Sequence, residues 1–202
     1  MKRISVAFKL VLIILISIAL SKELFAGGLF RAEAFYYFTI QSNVLVLFSL
    51  MLFLFMHDNS GAKRIIRGVV LLAITLTGII YNCVLYKLFL DWGTEGYTFS
   101  RTTTHLVAPI GYLADWLLFD QHNGMKWKHI FIWLLYPLSY CAYSVFLSIK
   151  GSKVIYFFFD LSSGYMNAMK WIGVLLCMLI LIGFIYVGID KLFYNKEENR
   201  SK

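Results

Sequence analysis

Residues 65–89 read IIRGVVLLAITLTGIIYNCVLYKLF, and this stretch decides the architecture. An α-helix rises ~1.5 Å per residue, so about 20 mostly apolar residues cross the hydrocarbon of a bilayer. Residues 65–89 meet that length, and Lys63, Arg64 and Arg67 mark one end with positive charge. Working outward, the same pattern appears at residues 5–26, 34–56, 102–119, 127–149 and 169–193. Of these, 102–119 is the most interrupted, by His105, Pro109 and Asp115. The fold class expected is therefore all-α: a single polytopic membrane domain over residues 1–202 with six transmembrane helices.

Composition agrees. Of the 202 residues, 60% are hydrophobic, 18% aromatic and 15% charged, whereas soluble domains carry about a quarter charged residues. The net charge of +8 does not indicate nucleic acid, because Lys and Arg gather at the ends of apolar segments, where anionic headgroups are the natural partner. Cys83, Cys141 and Cys177 lie inside apolar stretches and form no disulfide or metal-binding pattern. Lys2 and Arg3 precede an apolar run that ends without a small-x-small cleavage site, so the run is read as a retained first span.

Positive charge sets the orientation. With a cytoplasmic N-terminus, twelve of the nineteen Lys and Arg residues fall on the inner side, Lys63, Arg64 and Arg67 being the strongest group. This gives N-in, C-in, with Ser60 and Asn123 facing the cytoplasm and Gly93 and Ser152 outside. Between the fifth and sixth spans, Val154 to Phe159 are too few to cross and too apolar for water. An interfacial or re-entrant segment covered by protein satisfies both conditions. Trp92, Trp127 and Trp171 belong to the interfacial aromatic belt.

Polar residues inside spans are costly, so each is a candidate for function. Alternating span directions put Thr39, Asn82 and His105 within one helical turn of a common level, ~5–8 Å inside the outer surface. Tyr143 and Ser144 reach similar depth. Thr39, Ser42 and Asn43 share one helix face, as do His105, Pro109 and Tyr112. A hydroxyl beside an imidazole base permits covalent acyl transfer. The alternative is structural: an intramembrane Thr bonds its own preceding carbonyl, and Asn or Ser bridges helices. Asp115 is expected to pair with a Lys or Arg at the inner end. His57, His122 and His129, with Asp58 and Asp120 nearby, lack metal-ligand spacing and read as solvated loop residues.

Three motifs add a resemblance. Tyr37-Phe38-Thr39-Ile40-Gln41-Ser42-Asn43 is similar to the second-span signature of the bacterial Pr-six-Pr membrane proteins. His105 with Pro109, followed by Asp115-Trp116 and Asp120, resembles the fourth-span pattern of that family. Tyr156 to Asp160 resembles its Tyr-Pro-x-x-x-Asp loop, without the proline. That family is distantly similar to the androgen-induced and androgen-dependent integral-membrane hydrolases of fatty acid esters of hydroxy fatty acids. The resemblance implies Thr39 as nucleophile, His105 as its partner, and a bacterial plasma membrane.

The reading that results is an intramembrane hydrolase of fatty acyl esters working at outer-leaflet depth. Thr39 and His105 carry the catalysis, Asn43, Asn82 or Tyr143 steady the oxyanion, and Ser42 supports them. Asp160 is expected to turn inward toward a site residue such as His105. No metal or organic cofactor is called for, and the partners are the bilayer and a lipid ester. The alternative from another class is a non-catalytic lipid-binding protein or small transporter using the same polar cavity.

Overall fold

The computed structural model describes residues 2–26, 28–56, 61–87, 98–122, 124–151 and 155–200. Ser60, Gly93, Asn123, Ser152, Val154, Trp92, His57 and Asp58 lie outside them. The chain is all-α apart from a two-residue β-pairing, and it divides into two compact units, Met1–Gln121 and His122–Lys202.

Among the described residues the first unit shows four helices. α1 spans Lys2–Leu24, and a tight hairpin (β1 Phe25–Ala26, β2 Leu29–Phe30) and a 3-10 turn (Ala32–Tyr36) follow it. α2 is Phe38–Phe53. It begins four residues later than residue 34 because Tyr37 is extended, with φ −84° and ψ 131°. α3 runs Gly61–Ile80 and continues through a π-helical turn, Tyr81–Leu85. α4 runs from Phe99–Thr102 through a second π-helical turn, Thr103–Val107, into Ala108–Phe119.

In the second unit, α5 is His129–Ile149 and α6 is Tyr165–Arg200. Among the described residues four stretches are long and apolar enough to cross a membrane: Lys2–Leu24, Gly61–Leu85, His129–Ile149 and Tyr165–Tyr194. α2, at 16 residues, is apolar but shorter.

The first unit buries polar side chains and turns large apolar ones outward. Ser42, Asn43, Ser49 and Asp115 are fully buried, as are Ile16, Val46, Leu50, Leu72 and Trp116, while Ile14, Phe48 and Ile110 are exposed. That distribution suits lipid as the solvent. Close approach of helices is allowed where side chains are absent. A Cβ on Gly111 would lie 2.5 Å from a Leu12 methyl, and one on Gly78 would lie 3.1 Å from the Pro109 ring.

In the second unit Gly183 gives the same room to Ile130. The apolar run after α5 forms 3-10 turns at Phe157–Phe159 and Leu161–Ser163. Ile155, Phe158 and Phe159 are buried there, with the rings of Tyr156 to Phe159 packed on one another and on Trp171. Ile155, Phe158 and Phe159 of the apolar run are thus covered by protein, while Phe157 is exposed.

Candidate active site

The site forms where α2, α3 and α4 meet, and one proline organises it. Pro109 has no N–H, so a helical carbonyl that would bond to position 109 has no backbone partner. In the π turn the Ala108 N–H reaches back five residues to the Thr103 carbonyl. The Thr104 carbonyl would then need an N–H from position 109, as would that of His105 in ordinary α register. Proline offers neither carbonyl a donor at that position.

Two asparagine side chains supply the donors. Asn43 Nδ2 on α2 donates to the Thr104 carbonyl at 3.0 Å and to the Thr39 carbonyl at 2.8 Å. Asn82 Nδ2 on α3 donates to the His105 carbonyl at 2.9 Å and to that of Gly78 at 2.7 Å. A primary amide has two N–H groups, and in each case both are committed to carbonyls. The oxyanion role expected of Asn43 and Asn82 therefore gives way to bracing α4 around its π turn.

The same π turn places the His105 side chain. Its Nδ1 lies 3.0 Å from the Arg101 carbonyl and 3.0 Å from Thr104 Oγ1. A carbonyl only accepts, so the network assigns the proton to Nδ1. Nε2 is then a lone-pair acceptor, and Thr39 Oγ1 stands 3.2 Å from it. In that tautomer the hydroxyl is the donor and Nε2 the acceptor. On the imidazole's face lies the Tyr81 ring, stacked at 3.7 Å between centroids with 22° between planes. Thr39 and His105 are both half-buried.

Depth matching thus selected residues that the fold brings together: Thr39, Asn82 and His105 are linked directly or through the His105 backbone. Ser42 supports from below, its Oγ donating to the Thr39 carbonyl at 3.1 Å and lying 2.8 Å from Thr77 Oγ1. Tyr143 and Asp160 belong to the second unit. Tyr143 is 39% exposed. Asp160 Oδ1 accepts from Ser162 N at 2.9 Å and Ser162 Oγ at 2.7 Å, capping its own turn, and these bonds hold the carboxyl below its ordinary pKa.

A second polar cluster lies farther along α4. Asp115 Oδ1 accepts from Lys9 Nζ at 2.7 Å and Oδ2 from Arg67 Nη2 at 2.7 Å. Asp120 takes Arg67 Nε at 2.8 Å and pairs with Lys63 at 3.1 Å. The Arg67 guanidinium sits 4.5 Å from the ring centroids of both Phe53 and Tyr112, and the hydroxyl of Tyr112 accepts from Ser49 Oγ at 2.9 Å. The expected pairing of Asp115 is present. The cluster's extent is new, since Lys9, Lys63 and Arg67 carry an orientation signal in sequence and no visible sign of burial.

In the second unit, Asp190 Oδ2 accepts the Gly124 and Met125 N–H groups at 3.1 and 2.9 Å, and Oδ1 lies 3.4 Å from His122 Nδ1. His122 is buried, in contrast to the solvated loop histidine expected. Among the described residues no group of three His, Cys, Asp or Glu could hold a metal ion. No family model, curated protein or solved structure matches the chain.

Proposed function

We propose that this chain is a multi-pass cell-membrane hydrolase of fatty acyl esters, with six spans and both termini in the cytoplasm. The observation that carries the reading is Thr39 Oγ1 within 3.2 Å of an Nε2 whose ring is held by a carbonyl at Nδ1. The motif resemblance to the Pr-six-Pr proteins, and through them to the threonine hydrolases, supports the same pair.

The chemistry follows from that geometry. Thr39 Oγ attacks the ester carbonyl carbon as its proton passes to His105 Nε2. The tetrahedral oxyanion collapses, the C–O bond to the alcohol breaks, and the imidazolium returns the proton to the leaving alkoxide. Water then attacks the acyl–Thr39 ester, with Nε2 taking its proton and giving it back to Thr39 Oγ as the fatty acid departs. The positive charge formed on the ring is stabilised by the Arg101 carbonyl. A donor for the oxyanion is the N–H of Thr39 itself, in the first turn of α2, where no carbonyl four residues back lies in the helix.

The test is covalent labelling of purified protein with a lipid-tailed fluorophosphonate. Modification should map to Thr39 and disappear in Thr39→Ala and His105→Ala. A folded wild-type protein that binds the probe reversibly and is never modified would support the lipid-binding alternative.

A further inference from the structure

We propose that Tyr81 is a positioning residue, its ring acting as a fixed wall that holds the His105 imidazole with Nδ1 on the Arg101 carbonyl and Nε2 toward Thr39. The kinetic part of this proposal rests on the hydrolase reading; the part concerning the imidazole itself does not.

The inference starts from the backbone. π-helical turns are uncommon and cluster at functional sites. Here two of them, Tyr81–Leu85 and Thr103–Val107, are joined by contacts made by consecutive residues of α3. Tyr81 meets the His105 ring, and Asn82 meets the His105 carbonyl at 2.9 Å. Successive residues of an α-helix point about 100° apart, and the wider π turn lets both reach one residue of a neighbouring helix. His105 is thereby gripped by its carbonyl and by its ring face.

The ring contact determines what the imidazole can do. Both ring nitrogens bond at the ring edge, to Arg101, Thr104 and Thr39, and rotation about χ2 is the motion that would break those bonds together. The Tyr81 ring lies nearly parallel at 3.7 Å, so χ2 rotation drives the imidazole edge into it. Tyr81 is 3% exposed, so its ring is enclosed by protein. Without the wall, the imidazole turns away from both bonds, and the proton exchanges between nitrogens. A fixed Nδ1–H tautomer is what makes Nε2 a base.

The experiment uses full-length protein labelled with ¹⁵N-histidine, the His105 signals being assigned by their loss in His105→Gln. The wild type should show one neutral tautomer, protonated at Nδ1. Tyr81→Phe keeps the ring and should keep that pattern. Tyr81→Leu, and Tyr81→Met as a bulkier variant should leucine impair folding, should move both shifts toward the averaged values of exchanging tautomers. With 4-nitrophenyl octanoate in detergent, Tyr81→Leu should lower kcat about tenfold at unchanged KM, and Tyr81→Phe should stay within about twofold. A folded Tyr81→Leu or Tyr81→Met protein with the wild-type tautomer pattern overturns the proposal. Absence of ester turnover by the wild type would instead remove the hydrolase reading, and the spectrum would still decide the role of Tyr81.

Discussion

Asn82 donates its side-chain amide to the carbonyl of His105, the carbonyl that position 109 would serve in α register were it not a proline. A proline four residues after a histidine is thus coupled, through an asparagine on another helix, to the placement of the base. The expectation concerns energetic coupling. Asn82→Leu should cost about 1 kcal/mol, in the range of interhelical hydrogen bonds in membranes. In a Pro109→Ala background the backbone regains an N–H for that carbonyl, so the same Asn82→Leu change should cost measurably less. Thermal unfolding of the four proteins in one detergent measures the cycle. Equal penalties in both backgrounds would show that the two residues act independently.

The ion cluster makes a different prediction. Asp115 is the sole carboxylate within 4 Å of Lys9 among the described residues, whereas Arg67 also has Asp120. Removing a member of a buried pair leaves an uncompensated charge, at about 3–5 kcal/mol. Asp115→Asn should therefore destabilise strongly. Lys9→Leu should cost less, because Asp115 keeps Arg67. Melting temperatures in detergent give the order, and the reverse order would refute this account.

Asp120, just past the end of α4, sets an acid limit. Burial alone would raise its pKa, but the Arg67 and Lys63 charges outweigh burial and hold it below the ordinary value. A folded pKa below the unfolded one gives stability that is present above the unfolded value, about 3.9, and lost as pH falls through the folded pKa. Melting temperature should consequently fall below about pH 4, with a shallower fall in Asp120→Asn. An unchanged slope in that variant would exclude Asp120 as the group responsible.

Orientation is open to labelling at residues the structure describes. In a Cys83→Ser, Cys141→Ser, Cys177→Ser background, Glu33→Cys precedes α2 and Gly61→Cys starts α3, both at exposed positions. N-in topology predicts that a membrane-impermeant maleimide reaches position 33 from outside intact cells and position 61 only after the membrane is opened. The opposite pattern would invert the orientation.

How much of this was legible depends on which physical signal each residue carries. Thr39, Asn82 and His105 were found together because helix rise and span order convert sequence position into depth. The same reasoning cannot say which carbonyls lack donors, so Asn43 and Asn82 looked like oxyanion groups. Pro109 at i+4 from His105 was the available sign of an orphaned carbonyl. Tyr81 was invisible, since one aromatic among many announces no stacking partner. Lys9 was misleading for another reason: a lysine near the start of an apolar helix has the same composition whether it faces headgroups or, as here, a buried aspartate on α4. The hairpin at Phe25–Phe30 was hidden inside continuous apolarity, which sets length and burial but not where a helix stops.

The last prediction concerns the reaction itself. Thr39→Ala removes the oxygen that forms the acyl intermediate, and His105→Ala removes the group that takes its proton. Each should abolish turnover of a fatty acyl ester, and the double variant should be hardly worse than either single, because residues that act as a unit are not additive. Thr39→Ser keeps the hydroxyl 3.2 Å from Nε2 in principle but loses the methyl that restricts χ1, so partial activity is expected. If the Thr39–His105 bond serves only to join α2 to α4, the outcome differs. Thr39→Ala would then cost about 1 kcal/mol of stability and leave activity per folded molecule unchanged. The decisive quantity is therefore turnover normalised to folded protein, measured beside fluorophosphonate labelling. Full specific activity in folded Thr39→Ala would end the hydrolase reading, because the Thr39 hydroxyl is the nucleophile it assigns.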